Sequence, residues 1–253
     1  LKAAFFLFFH CALFLAACSQ QDTTEPVPLI TKYILPVDGS GIVIQKTSYR
    51  TNQPSLFVHL HSNETTAAEV AQAFAAREGI TLLRILNGNE RLIPFQQGNK
   101  QFRFDPNRIF SDVGIRNTLD LYNNGTDAAF SAVKAFRDSL LALMDTGKII
   151  IALHNNTNES FSILHYKESN LPVHINSDLD PDDFFLTNDE MLFNQLRELN
   201  FNVVLEDATQ VEDDGSLSIY CSRQNIRYVN VEAEHGHLQE QTIMLTALLQ
   251  LLK

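Results

Sequence analysis

Apolar and polar positions along this chain follow two alternating periods. Short apolar runs of strand length recur at residues 29–35, 41–45, 55–60, 82–86, 148–154, 201–205 and 227–231. The first two flank Pro36-Val37-Asp38-Gly39-Ser40, which predicts a hairpin. Between the later runs the period lengthens. Residues 66–78 are Ala-rich, with Ala67, Val70 and Phe74 on one face and Gly79 as a stop. Residues 127–144 carry Phe130, Val133, Phe136, Leu140 and Leu143 near helical spacing, and residues 188–199 and 238–252 read as two further helices. Strands alternating with helices predict an α/β fold: three α/β/α layers around a mixed, mostly parallel central sheet.

Two acidic segments lie outside these elements. Asp178-Leu179-Asp180-Pro181-Asp182-Asp183 lacks the glycine of a calcium loop and predicts a capped turn before a helix. Val211-Glu212-Asp213-Asp214-Gly215-Ser216 predicts an acidic turn between strands. The chain of 253 residues is 45% hydrophobic, enough to bury a full α/β core. Its formal net charge of −11, with no Lys/Arg run, excludes a nucleic-acid partner.

The first residues read as targeting rather than fold. Lys2 precedes an apolar run too short to span a bilayer, and the run ends in Leu15-Ala16-Ala17-Cys18. This resembles a bacterial lipobox, which makes residues 1–17 a lipoprotein signal peptide and Cys18 the lipidated residue. Residues 18–28 form a polar tether, and 29–253 a single domain. The expected place is the bacterial cell envelope, with membrane contact through the lipid anchor only. Ser19 after the cysteine favours the outer membrane or cell surface. Cys11 leaves with the signal and Cys18 is acylated, so Cys221 remains alone and no intramolecular disulfide is possible. Its apolar setting reads as a buried small hydrophobe.

The chemistry gathers where strands end. Phe57-Val58-His59-Leu60-His61-Ser62-Asn63-Glu64 is an apolar strand closing in His-x-x-Glu, so His61 and Glu64 can turn toward one cation. Lys148 to His154 is a second apolar strand ending in histidine. Parallel strands in one sheet present such ends at one edge, where open α/β sheets bind ligands. Imidazole and carboxylate donors suit Zn2+, with His61, Glu64 and His154 as the ligand set. His59 shares the face of His61 and is expected to hydrogen-bond behind the metal. Asp105-Pro106-Asn107-Arg108 places an adjacent Asn-Arg pair in a loop. Asn107 and Arg108 can grip a substrate carboxylate, the arginine as a two-pronged clamp.

His61-Ser62-Asn63-Glu64-Thr65, Asp105-Pro106-Asn107-Arg108-Ile109-Phe110 and the strand-borne His154 together resemble the zinc carboxypeptidase clan. Within it they look most like the aspartoacylase and succinylglutamate desuccinylase branch. That branch carries His-Gly-Asn-Glu, then Asp-Leu-Asn-Arg, then a histidine after a similarly short interval. Ser62 stands in place of the usual glycine and Pro106 in place of the usual leucine, as in a divergent member.

The resemblance implies a zinc hydrolase of amide or peptide bonds, with a catalytic glutamate on a late strand. Residues 227–237 offer Glu232 and Glu234. Glu232 is preferred because it closes an apolar-x-apolar-Glu pattern, but both point to one side of a strand, so periodicity alone leaves Glu234 open. The oxyanion arginine is assigned to Arg103, with Arg91 and Arg223 as alternatives. The implied substrate is a small peptide or N-acyl amino acid bearing a carboxylate, cell-wall-derived material included. The alternative class is a non-catalytic lipoprotein that keeps the peptidase fold as a binding module.

Overall fold

The computed structural model describes residues 27–51, 53–158 and 160–253. The signal segment, Cys18 and most of the tether lie outside the described residues. Among the described residues no helix is long and apolar enough to cross a membrane.

The chain opens with a hairpin of β1 (Leu29–Val37) and β2 (Ser40–Ser48), joined through Asp38 and Gly39, both at positive φ. Next come β3 (Ser55–His59), α1 (Thr65–Glu78) and β4 (Thr81–Leu86). A second hairpin follows, β5 (Ile93–Gln97) with β6 (Lys100–Phe104), and then the helices α2 (Asp112–Asn123) and α3 (Asp127–Leu143). After β7 (Ile149–Asn156) run a short β8 (Val173–His174), β9 (Phe184–Thr187), α4 (Glu190–Glu198) and β10 (Val203–Leu205). The chain closes with α5 (Leu217–Arg223), β11 (Tyr228–Glu234) and α6 (Leu238–Leu251).

Nine strands form one sheet in the order β1-β2-β4-β3-β7-β11-β9-β10-β8. The centre, β4-β3-β7-β11, is parallel, and β9 also runs parallel to β10. The edges are antiparallel. Every residue of β3 and β7 is buried, as expected for parallel strands covered on both faces. One face carries a core of Phe102, Phe104, Phe136, Tyr228 and their neighbours beneath α2, α3 and α5. The other packs Phe57, Phe74, Phe185 and Leu245 beneath α1, α4 and α6. The three-layer α/β/α fold with a mixed sheet follows from the alternation of apolar runs.

Several local expectations need correction. The acidic run at 178–183 turns into strand β9, not a helix; the helix after it is capped instead by Asp189, whose carboxylate accepts from the Leu192 amide at 3.1 Å. The turn at 211–216 leads into α5 rather than a strand, with the Ser216 hydroxyl as its N-cap. Helix α2 and the β5–β6 hairpin are additional elements between Arg91 and Thr126. Cys221 is buried in α5, and burial raises its thiol pKa, which fits an inert packing role.

Candidate active site

Strands β3, β7 and β11 lie side by side and point the same way, so their carboxyl ends meet at one edge of the sheet. His61 leaves β3 in a tight turn closed by the Glu64 amide bonding to the His61 carbonyl at 3.1 Å. That turn delivers Glu64 to the start of α1, where exposed amide dipoles favour a negative charge. The Asn155 side chain on β7 accepts from the Ala67 amide at 2.7 Å and ties the helix start to the neighbouring strand. Gln241 of α6 donates to the carbonyls of both His154 and Val231, at 2.9 and 3.1 Å, fastening β7 to β11.

These constraints bring His61, Glu64 and His154 into one buried group. His61 Nδ1 lies 2.8 Å from Glu64 Oε1 and 3.2 Å from His154 Nδ1, and His154 Nδ1 lies 2.9 Å from Glu64 Oε2. Bonds of about 2.0 Å at tetrahedral angles put zinc ligands roughly 3.3 Å apart, close to this spacing. His61 turns its other nitrogen to Asp105 Oδ1 at 2.7 Å. A histidine that donates one N–H to a carboxylate presents a lone pair on the other nitrogen, the arrangement usual for a metal ligand. The donor set therefore fits zinc. His59 lies behind it, fully buried, with Nε2 2.9 Å from the Glu64 carbonyl; burial lowers its pKa to about 4, so it is neutral.

The electrostatics demand positive charge. Burial opposes ionisation of His61, yet Glu64 and Asp105 together raise its pKa to about 9. Glu64 is held well below the ordinary carboxylate range against its own burial by His61 and His154. Arg91 completes the group, with one guanidinium nitrogen 2.9 Å from Glu64 Oε1 and another 3.2 Å from Asp105 Oδ2.

Glu232 pairs in register with His154 and is 96% buried. Burial, reinforced by the charge of Glu64, raises its pKa to about 8, against the lowering effect of the Asn230 amide that donates to it at 2.8 Å. A cavity of about 500 Å³ is lined by the three ligand candidates, Glu232, Arg91, Asn107 and Arg108, among others. Glu234 stands apart. Its backbone amide donates to Asp183 and its carboxylate lies 3.8 Å from His237, beyond the cavity wall.

The arginines sort differently from the expected order. Arg103 alternates outward between Phe102 and Phe104 on β6 and lines a different cleft. Arg223 pairs with Asp213 away from the cavity. Arg91, carried by the loop before β5, is the arginine that reaches the ligand group. Asn107 and Arg108 border the cavity but are partly engaged. Asn107 Oδ1 accepts from the Leu217 amide at 3.0 Å, and Arg108 lies 3.5 Å from Asp214.

The Arg108 loop depends on a close backbone approach. Gly215 has φ +77, and a Cβ there would sit 2.6 Å from both the Arg108 carbonyl oxygen and the Gly114 Cα. Gly215→Ala is expected to destabilise the protein by about 1–3 kcal/mol, from left-handed strain plus backbone displacement. Chemical denaturation measures it, and an unchanged midpoint refutes the constraint.

Sequence reasoning passed over two residues of this site. Asp105 was legible only as part of the Asn-Arg loop, although its carboxylate orients His61. Glu206, immediately after β10, is 92% buried and lines the same cavity. Burial raises its pKa to about 7; a Ser218 hydrogen bond lowers it and the charge of Asp214 raises it. A carboxyl whose folded pKa lies above its unfolded value holds its proton more tightly when folded, so stability is lost as pH rises from the unfolded value through the folded one. Relative to wild type, Glu206→Gln is therefore expected to gain on the order of 3 kcal/mol of unfolding free energy between about pH 4.5 and pH 8. Parallel denaturation curves across that range test this; a pH-independent difference contradicts it.

No protein-family model matches the chain, and no curated protein matches it. Solved structures do resemble it. An aspartoacylase family protein from Mesorhizobium loti aligns with 92% of this chain and 69% of its own, at 13% identity and a TM-score of 0.47. Murein-tripeptide amidase MpaA from Escherichia coli O157 aligns with 90% of this chain and 93% of its own, at 11% identity and a TM-score of 0.42. Bovine thrombin-activatable fibrinolysis inhibitor aligns with 88% and 87%, at 10% identity and a TM-score of 0.45. At such identities the functional reading rests on this chain's own residues.

Proposed function

We propose that this protein is a zinc-dependent hydrolase of an amide or peptide bond, acting on a small peptide or acylated amino acid that carries a carboxylate. The observation that carries the reading is the pairing of Glu232, a buried carboxyl with a near-neutral pKa, with the His61–Glu64–His154 group across adjacent strands of one cavity. His61, Glu64 and His154 would hold the ion. Zinc, when bound, supplies Lewis acidity that activates water and polarises a carbonyl.

The chain's own residues do the rest. Glu232 accepts the proton of the attacking water and returns it to the departing nitrogen, a task suited to a group that titrates near the working pH. Asp105 fixes the imidazole of His61, and Asn230 orients the Glu232 carboxylate through its amide. Arg91, in place of Arg103, lends positive charge beside the carbonyl oxygen. Arg108 and Asn107, at the cavity border, receive the substrate carboxylate.

Hydrolysis of a panel of N-acyl amino acids and muropeptides, with and without chelator, tests the reading. Zinc-dependent release of free amine is the expected result. No turnover on any member by the zinc-loaded protein would return the chain to the binding-module class.

Placement in the cell envelope is part of the same proposal, motivated by the Leu15-Ala16-Ala17-Cys18 run. Two or more acyl chains give stable attachment where one gives only reversible binding. The mature protein is expected to begin at an acylated Cys18. Mass spectrometry that finds an unmodified N-terminus at another residue overturns it.

A further inference from the structure

The cavity extends well beyond the ligand group. Tyr228, Asn230 and Glu232 all line it, and they occupy alternate positions of β11, so it runs down one face of that strand. From Glu232 to Tyr228 this is roughly 13 Å of strand. Register fixes what lies at the far end. Thr187 of β9 pairs with Val229 of β11 on one side and with Leu205 of β10 on the other. Glu206, the next residue, donates its amide to the Thr187 carbonyl at 2.8 Å and so lies level with the Tyr228 end of the cavity, two strands across.

Glu206 there is incompletely partnered. Ser218 Oγ lies 3.2 Å from Oε2, while Oε1 is buried with no hydrogen-bond partner. The nearby cation, Arg108, is turned to Asp214 at 3.5 Å. Ser216 and Ser218, whose hydroxyls lie 3.0 Å apart, add oxygens beside the carboxylate. A buried carboxylate oxygen without a donor is costly, and an unsatisfied acceptor on a residue that lines a cavity is a specificity element for whatever donor completes it. Acceptor oxygens on a carboxyl at the end of a long channel suit a flexible stem that ends in a primary ammonium, whose charge favours the ionised form of that carboxyl.

We propose that the far end of the cavity binds a side-chain ammonium of the substrate, with Glu206 as the specificity-determining carboxylate and Ser218 beside it. The bond cleaved is then the amide of a lysine- or ornithine-like residue, whose stem lies along β11 over Asn230 and Tyr228. This inference rests on the hydrolase reading for its orientation, with the reacting bond at Glu232.

Binding tests it without turnover. Zinc-loaded protein is titrated by calorimetry near neutral pH with L-lysine, L-ornithine and L-norleucine. Lysine or ornithine is expected to bind about 10- to 100-fold more tightly than norleucine, the range for a charge-assisted hydrogen bond. Glu206→Gln, nearly isosteric, is expected to erase that preference while zinc content stays at the wild-type level. Glu206→Leu should do the same, and covers the case in which glutamine folds poorly. Equal or tighter binding of norleucine by wild type, a preference that survives both variants, or no binding of any of the three overturns the assignment. Zinc-dependent hydrolysis of norleucine-type amides without a cationic preference removes the ammonium subsite and leaves the hydrolase reading standing. A lysine preference that depends on Glu206, in a protein with no turnover, does the reverse.

Discussion

Glu232→Gln is expected to lower turnover by about 10²–10⁴ while zinc is retained in full. Glutamine preserves the volume and the hydrogen-bonding reach of the side chain but cannot take up a proton. The size of the effect follows from the setting. Burial first, then the negative charge of Glu64, raises the Glu232 pKa to about 8, while Asn230, His61 and Arg91 act in the other direction. Such a group is poised both to accept a proton near neutrality and to return it. Glu206, the other carboxyl of the cavity wall raised toward neutrality, lies level with the Tyr228 end, away from the ligand group. Glu234→Gln supplies the internal control. Glu234 lies at the end of β11, is half-buried, and faces His237 outside the cavity. Its loss should change turnover by less than tenfold, a surface-like effect. Steady-state kinetics on any amide that wild type hydrolyses in a zinc-dependent way decides between them. If Glu234→Gln proves the more damaging, the base has been placed on the wrong residue.

That separation shows where sequence stops being informative. Side-chain period puts Glu232 and Glu234 on one side of an ideal strand, and no count of apolar positions divides them. The division comes from the chain end. The Glu234 amide is drawn to Asp183, and the backbone then turns at Gly236, where φ is +100. Both partners are tertiary facts. His61 and His154, by contrast, were legible because each closes a mainly apolar run, interrupted before His61 only by His59, and a run of that kind in a parallel sheet ends at its edge.

Arg103 and Arg91 show the opposite lesson. The Phe95, Phe102 and Phe104 positions alternate with polar residues, and that pattern alone implies that Arg103 faces away from the core its neighbours enter. Proximity in sequence to Asp105 outweighed this signal. Helix α2 was hidden for another reason. Its buried stripe is Gly114, Ile115, Thr118 and Leu119, too weakly apolar to stand out by period. Glu206 left no trace at all, since one acid after a three-residue strand looks like any other loop carboxylate.

His61→Ala is expected to abolish stoichiometric zinc binding, the largest single effect in the molecule. Three protein ligands leave an open position for catalysis, and two do not hold zinc against competing solvent and chelators. In this chain the loss goes further, because His61 is also the residue between Glu64 and Asp105, 2.8 and 2.7 Å away. Alanine leaves two buried carboxylates facing each other across a void; Arg91 still touches both, while His154 stays beside Glu64 and the Asn107 amide beside Asp105. The variant should therefore lose stability as well as metal, and added zinc should no longer raise its melting temperature as binding linkage requires of wild type. Asp105→Asn probes the same imidazole more gently. It keeps a hydrogen-bond acceptor for His61 but removes the charge, and a 10- to 100-fold fall in zinc affinity is expected, the range for an outer partner of a metal histidine. Elemental analysis of the purified proteins, followed by competition with a chelator of known affinity, gives both numbers. The order of effects matters more than either value. Wild type must bind most tightly, Asp105→Asn less and His61→Ala not at all. If His61→Ala retains zinc, or wild type takes up none when zinc is supplied, the convergence of His61, Glu64 and His154 is an ion-paired cluster that holds strand ends together rather than a metal centre.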